Sequence, residues 1–174
     1  MKRGVVELPA AWPGWGANAA VVVAIDAVDW APPREPCVVD GQAFAPKHEL
    51  HVTVIGKALG AQLQAELAGG RIDAAAVRSA FAGQRWRLRR SGWRIRLRKP
   101  TDAAGKPQRE SIIEPVALPA MARLHARLGR LLRRSLPVPP PHVTLYVRGD
   151  EEGIGVPDAA TLARLRVGAP WREG

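Results

Sequence analysis

Two short stretches of the sequence carry the same residue types in the same order. They are His51-Val52-Thr53-Val54 and His142-Val143-Thr144-Leu145, and they lie 91 residues apart. The chain has only four histidines and four threonines, and these stretches use two of each. Alternation of polar and apolar residues predicts strands, in which His and Thr share one face and the apolar residues enter a core. Two such strands lining a cleft would gather two imidazoles and two hydroxyls around one small anion.

This set of groups suits phosphodiester chemistry. Because histidine titrates near neutral pH, a neutral imidazole can take a proton from the nucleophile while a charged one protonates the leaving oxygen. Threonine hydroxyls can donate hydrogen bonds to the non-bridging phosphate oxygens, where charge accumulates in the transition state. The reaction needs neither a metal ion nor another cofactor. The residues therefore predict His51 and His142 as acid and base, in an order left open, with Thr53 and Thr144 as phosphate ligands.

The sequence resembles the two-histidine (2H) phosphoesterases, in particular the bacterial RNA 2′,3′-cyclic phosphodiesterases, also called 2′–5′ RNA ligases. Residues 49–56 and 141–145 look like the two motifs of that family, and residues 22–25 look like its opening strand. The resemblance implies an α+β fold with two lobes, in which two antiparallel sheets face a central cleft, helices lie outside, and a pseudo-two-fold axis relates the halves. It also implies hydrolysis of a cyclic phosphate to a 2′-phosphate, or the reverse ligation. The substrates left open are a cyclic mononucleotide, a tRNA-like end, a 2′–5′ linked oligonucleotide and an ADP-ribose cyclic phosphate.

The elements that would hold these groups follow from hydrophobic periodicity, and we expect residues 1–174 to form one domain. Strands are predicted at 19–25, 49–55, 111–118 and 142–147, and helices at 58–68, 72–82, 119–135 and 158–167. Residues 49–68 and 142–167 both read as strand, glycine-containing turn and helix. This weak repeat predicts two similar halves, with the two His-Thr strands opposite each other across the cleft.

Residues 85–99 alternate between aromatic or aliphatic side chains and arginine, around a turn at 90–92. They predict a hairpin with a core face, carrying Trp86 and Trp93, and an arginine face that contacts RNA through residues such as Arg94 and Arg96. An alternative is that Trp86 or Trp93 stacks on bases. If the strand stays regular, its alternation also places Tyr146 and Arg148 on the substrate-binding face. The alternatives are ordinary strand packing for Tyr146 and a solvated strand end for Arg148.

Two other interpretations compete with the enzyme. His48 and His51 have a spacing that suits a metal site on a helix, but on a strand they face opposite ways, so no metal site is predicted. His125 is expected at the surface or boundary of a helix. The rival function is a non-catalytic RNA- or nucleotide-binding module that uses the same cleft. Against it, simple phosphate binding would be served by arginine or lysine and does not call for two histidines.

Composition limits the class of protein. The chain has 174 residues, of which 47% are hydrophobic and 24% charged, so it can bury a core. One cysteine excludes a disulfide within the chain, and no apolar run is long enough to span a membrane. We therefore expect a monomeric cytoplasmic protein that does not bind membranes. The formal net charge of +10 favours a polyanionic partner such as RNA, although the arginine-rich composition also fits a coding bias of the source genome.

Overall fold

An α+β fold built on a mostly antiparallel, strongly curled sheet is seen in the computed structural model, which describes residues 4–172. The strands are β1 (Val5–Glu7), β2 (Val21–Ile25), β3 (Cys37–Val39), β4 (Gln42–Pro46), β5 (Leu50–Ile55), β6 (Arg87–Arg90), β7 (Trp93–Lys99), β8 (Arg109–Ala117), β9 (His142–Arg148) and β10 (Arg166–Arg172). The helices are α1 (Lys57–Ala68), α2 (Ala74–Ala82), α3 (Ala120–Leu131) and α4 (Ala159–Leu165). None of the helices in this range is long and apolar enough to cross a membrane.

Strand β9 is the centre of the sheet. It pairs with β8 on one side, and on the other side with β5 near its start and with β4 near its end. Strand β2 continues the sheet beyond β5, and β7 followed by β10 continues it beyond β8. The two His-Thr strands are therefore hydrogen-bonded neighbours in one sheet. The expectation that they face each other across a cleft from opposite sheets is wrong.

The two faces of this sheet are covered differently. Helices α1, α2 and α3 pack on one face, where Leu63, Phe81 and Leu124 join Val52 and Val143 in the main core. A smaller cluster lies on the opposite face, where Leu165 of α4 and the buried side chains Ile154 and Val156 cover Ile95 and Ile113. Because cross-strand partners share a face, and Ile113 pairs with Thr144, this second cluster borders the face that carries the histidines and threonines.

The hairpin predicted at 85–99 is wrong. Strands β6 and β7 run in the same direction and pair end to end along one edge of β8, β7 opposite residues 109–113 and β6 opposite residues 116–117. Gly92, with a φ of +72°, produces an offset between two collinear strands and does not reverse the chain. The physical reason is length, because β8 has nine residues and offers both strands a partner.

Two predicted helices are shorter than expected. Helix α3 ends at Leu131, four residues before the predicted end, because the backbone of Arg133 turns into the left-handed region with a φ of +53°. The predicted helix 158–167 ends at Leu165, and the chain continues as β10. Gly168 and Pro170 are unusual residues for a strand, but among the described residues β10 pairs only with β7, and its register shifts between Val167 and Trp171. An edge strand tolerates such residues, since its outer side needs no partner.

Candidate active site

The two His-Thr pairs meet on one face of the sheet. Val52 lies directly opposite Val143 in the antiparallel register, so one step to either side sets Thr53 beside His142 and His51 beside Thr144. All four side chains are half-buried, while the valines between them are fully buried on the other face. Directly opposed side chains have Cβ atoms about 4.5–5.5 Å apart and diagonal ones about 7–8 Å. The two imidazoles, which are diagonal neighbours, can therefore reach a single phosphate group.

Strands β5 and β9 each contain an extra residue directly after the threonine. Strand β2 skips a residue of β5 between Thr53 and Ile55, and β8 skips a residue of β9 between Thr144 and Tyr146. The extra residues, Val54 and Leu145, are themselves 91 positions apart, like the two histidines. Each threonine is thus the last residue of a regular stretch before a β-bulge, and bulges re-aim the side chains that follow them.

The protonation of His142 is set by its neighbour. Its Nδ1 lies 2.8 Å from the Pro140 carbonyl oxygen, and because a carbonyl can only accept, Nδ1 donates its proton there. The neutral ring therefore keeps its free lone pair on Nε2, the nitrogen that exchanges a proton. Burial lowers the pKa of His142, and the Pro140 carbonyl opposes this effect only in part.

The pKa of His51 is also lowered. Burial is the largest cause, followed by the positive charge of Lys47 and then by that of His142, while Glu49 acts in the opposite direction. The charge of His142 therefore contributes to the lowered pKa of His51, after burial and Lys47. Protonation of one ring disfavours protonation of the other, which is the condition for one base and one acid at the same pH.

A short loop of residues 149–153 lies over the histidine face. Lys47 Nζ donates to the Glu151 carbonyl at 2.8 Å, and Lys57 Nζ pairs with the Glu152 carboxylate at 3.0 Å. Gly153 approaches Thr144 so closely that a Cβ added to it would lie 2.7 Å from the threonine Oγ1. Sequence reasoning missed Lys47 and Gly153, although Lys47 is one of only five lysines and lies four residues before His51.

The bulge changes the roles predicted for the end of β9. Tyr146 is buried in the main core, so the prediction that it shares the face of His142 and Thr144 is wrong, because the extra residue Leu145 inverts the alternation. Arg148 is half-exposed at the strand end, with Nη1 3.7 Å from the Glu110 carboxylate. It lies beside Glu151 and the start of the 149–153 loop in a small groove of about 370 Å³.

Arg94 is a buried structural residue. Its side chain is in ion-pair contact with Glu114, whose carboxylate is 0% exposed and also accepts hydrogen bonds from Arg90 Nε at 3.1 Å and from the Gly92 N–H at 3.0 Å. Burial alone would raise the pKa of Glu114, but these hydrogen bonds and the two arginine charges outweigh it and leave the pKa lowered. The predicted RNA-contacting face is wrong at this position, because the arginine neutralises a carboxylate on the neighbouring strand.

Arg96 has the same kind of role. Its side chain is 3% exposed and pairs with the buried carboxylate of Glu110 at 2.7 Å, and it also reaches Asp40 at 2.9 Å and Gln42 at 2.5 Å. Burial raises the pKa of Glu110, but hydrogen bonds from Arg96 and Arg98 outweigh it and hold the pKa low. The prediction that Arg96 faces RNA is therefore also wrong.

His125 and Trp86 are buried, whereas Trp93 is exposed. His125, expected near the surface, is 2% exposed, and its Nε2 lies 3.0 Å from the carbonyl oxygen of the bulge residue Val54. Trp86 is in the core, as predicted, stacked on Phe81. Trp93 is 40% exposed, with the Arg172 guanidinium 4.5 Å from its ring centre. No group of three His, Cys, Asp or Glu side chains within residues 4–172 is arranged to hold a metal ion.

Comparison with known proteins gives this arrangement no counterpart. No protein-family model, no curated protein and no solved structure matches the chain. The functional interpretation therefore depends on the geometry of the site itself.

Proposed function

We propose that this protein is a metal-independent phosphodiesterase of the two-histidine kind, which opens 2′,3′-cyclic phosphates at RNA ends or on nucleotides. The observation that supports this proposal is the register of β5 against β9. It brings two imidazoles and two hydroxyls, the only two His-x-Thr pairs of the sequence, onto one half-buried surface. Such a set has the groups that the reaction needs, namely a base, an acid and two phosphate ligands.

In the proposed reaction, one neutral imidazole removes a proton from water as the water oxygen attacks phosphorus. The bond between phosphorus and the 3′ oxygen breaks, and the other imidazole, initially charged, gives its proton to that oxygen. The products are a 2′-phosphate monoester and a 3′-hydroxyl, and the proton on the base balances the proton donated. When a 5′-hydroxyl attacks phosphorus in place of water, the same bond to the 3′ oxygen breaks and the two RNA ends are joined by a 2′–5′ phosphodiester; in the reverse of either reaction the two imidazoles exchange roles. Thr53 and Thr144 donate hydrogen bonds to the non-bridging oxygens throughout.

We further infer that the site arose from an internal duplication, whose two halves meet where β5 pairs with β9. The half-turn that exchanges antiparallel neighbours maps His51 onto His142 and Thr53 onto Thr144. The flanking strands obey the same offset, since Val22 pairs with Thr53 and Ile113, 91 positions later, pairs with Thr144. The two motifs, their paired neighbours and their bulges are all separated by the same 91 residues, which favours two copies of a common unit.

The experiment is the hydrolysis of a nucleoside 2′,3′-cyclic phosphate in the presence of EDTA, followed by product chromatography. We expect a 2′-phosphate product and a bell-shaped pH profile, as a base and an acid in one site require. His51→Ala and His142→Ala should each reduce kcat by at least about 10²-fold. His48→Ala is the matched control, since His48 is exposed and lies three residues from His51. Full turnover in either active-site variant would contradict the proposal.

The same assay separates the enzyme from the non-catalytic binding module. A binding module would retain affinity for the cyclic nucleotide and release no product at any pH. Thr53→Ala and Thr144→Ala should slow the enzyme with little change in the shape of its pH profile, because a hydroxyl does not titrate in this range. A shifted optimum with an intact rate would argue against their role as phosphate ligands.

A further inference from the structure

A cavity of about 550 Å³ lies at the end of α3, on the helix-covered side of the sheet. Its floor consists of small residues on one side of the helix, Ala122, Ala126 and Gly129, of which the two alanines are exposed. Its rim carries three exposed arginines, Arg130, Arg133 and Arg134, together with the hydroxyl residue Ser135. We call this the α3 cavity.

The arginines of the α3 cavity lack acidic partners. Within residues 4–172, none of the three forms an ion pair, and Arg134 instead donates to the side-chain oxygen of Gln62. Arg123 and Arg127 extend the positive surface along the same helix face, and they too have no carboxylate partner in that range. Like charges spaced three and four residues apart on a helix repel each other, and a bound anion would relieve this repulsion.

One of these arginines occupies a position that normally requires glycine. Arg133 has a φ of +53°, in the left-handed region. The Arg133 N–H bonds the Arg130 carbonyl at 3.2 Å, and the Arg134 N–H bonds the Gly129 carbonyl at 2.9 Å. This pair of hydrogen bonds forms a helix-ending motif in which glycine is the favoured residue at the position of Arg133. Arginine there strains the backbone, and it places a third guanidinium on the rim.

The α3 cavity and the two histidines lie on opposite faces of the sheet, near the same strand ends. His125 lines the cavity, and its Nε2 contacts the carbonyl of Val54, the residue that follows Thr53. Val138 of the rim is four residues before His142, a distance of at most about 14 Å along an extended chain. An oligonucleotide whose end lies between the two histidines can therefore reach this rim by passing around that edge of the sheet.

We propose that the α3 cavity holds backbone phosphates of the RNA whose cyclic end is bound by the two histidines. This inference rests on the proposed function for the position of the RNA end. Guanidinium groups suit phosphate because they donate two parallel hydrogen bonds to it, and an unpaired set of them in a concave site fits a strand of phosphates. The cavity gives the protein a preference for oligonucleotides over mononucleotides.

The test measures the affinity for a fluorescent single-stranded RNA of about twelve nucleotides at several salt concentrations, because each phosphate contact of a single strand contributes about 0.7 to the salt slope. The RNA ends in a 2′-phosphate, the proposed product, so that no turnover disturbs binding. Arg130→Gln combined with Arg134→Gln should weaken binding at least about tenfold and reduce the slope by about 1.4. The same variant should hydrolyse a cyclic mononucleotide at the rate of the unaltered protein. An unchanged slope, or an equal loss on the mononucleotide, would overturn the inference.

Two further variants exclude simpler explanations. Arg133→Gly should raise the melting temperature, because it relieves the left-handed arginine, and should still weaken RNA binding; retained affinity would count against the inference. Arg34→Gln removes one exposed charge from the loop between β2 and β3 and should leave the slope unchanged. If Arg34→Gln lowered the salt slope as much as each cavity arginine does, the effect would come from net charge alone, and the inference would be overturned. RNA bound through these arginines without turnover of any cyclic phosphate would contradict only the proposed function.

Discussion

Gly153 offers the sharpest test of the role of Thr144. A Cβ at position 153 would lie 2.7 Å from Thr144 Oγ1, whereas ordinary contacts begin at about 3.4 Å, so Gly153→Ala must displace one of them by about 0.7 Å. The loop cannot yield easily, because Ile154 is buried and its N–H bonds the Ser111 hydroxyl at 3.2 Å. We therefore expect the hydroxyl of Thr144 to move. A misplacement of this size in a catalytic group costs about 10²-fold in rate, or about 2.7 kcal/mol of transition-state stabilisation.

The assay is kcat and KM for a 2′,3′-cyclic mononucleotide, together with urea denaturation of each variant. Gly155→Ala is the matched control, since Gly155 lies two residues away and a Cβ there would meet nothing within 4 Å. We expect kcat to fall in the first variant only, with both proteins about as stable as the original. Equal activity of the two alanine variants would refute the reasoning that the Thr144 hydroxyl must hold its position.

Three further predictions concern charge. Lys47→Gln removes a charge that lowers the pKa of His51, so the limb of the pH–rate profile to which that imidazole contributes should move to higher pH; an unmoved profile would contradict it. Glu114→Gln leaves the buried guanidinium of Arg94 without a counter-charge and should lower the free energy of unfolding by about 3–5 kcal/mol. Glu7→Gln removes an exposed ion pair and should lower it by less than about 1 kcal/mol. Because the pKa values of Glu110 and Glu114 lie below their ordinary 4.5, the unfolded chain binds more protons at acidic pH. Stability should therefore be lost as the pH falls below about 4.5, and Glu114→Gln should flatten that loss in denaturation series.

The shared face of each His-Thr pair could be predicted from local alternation alone. His51 and Thr53 share a face because side chains alternate on a strand, and this property is visible in the sequence. Tyr146 was placed wrongly because the β-bulge at Leu145 inverts the alternation one residue earlier. A bulge is stabilised by the strands on either side, so the sequence of β9 alone does not indicate it.

The arginines of residues 94–98 show a second limit. Their alternation with apolar residues predicted a cationic face that contacts RNA, but the carboxylates of Glu110 and Glu114 neutralise Arg96 and Arg94 from the adjacent strand. Partners of this kind lie 14 and 20 residues away in the sequence. They become neighbours only when β7 pairs with β8, and the predicted hairpin would have kept them apart.

The shared offset of the two His-Thr strands has a consequence for the direction of the reaction. A half-turn about the point between Val52 and Val143 exchanges the two His-Thr pairs, so under the proposed function a phosphorus atom on that axis meets the same four groups from either side. Symmetry of this kind makes no distinction between an oxygen that arrives and one that departs. A preference for one direction of the reaction must come from features that the half-turn does not repeat. These are the Lys47 amine near His51 and the close approach of Gly153 to the Thr144 hydroxyl.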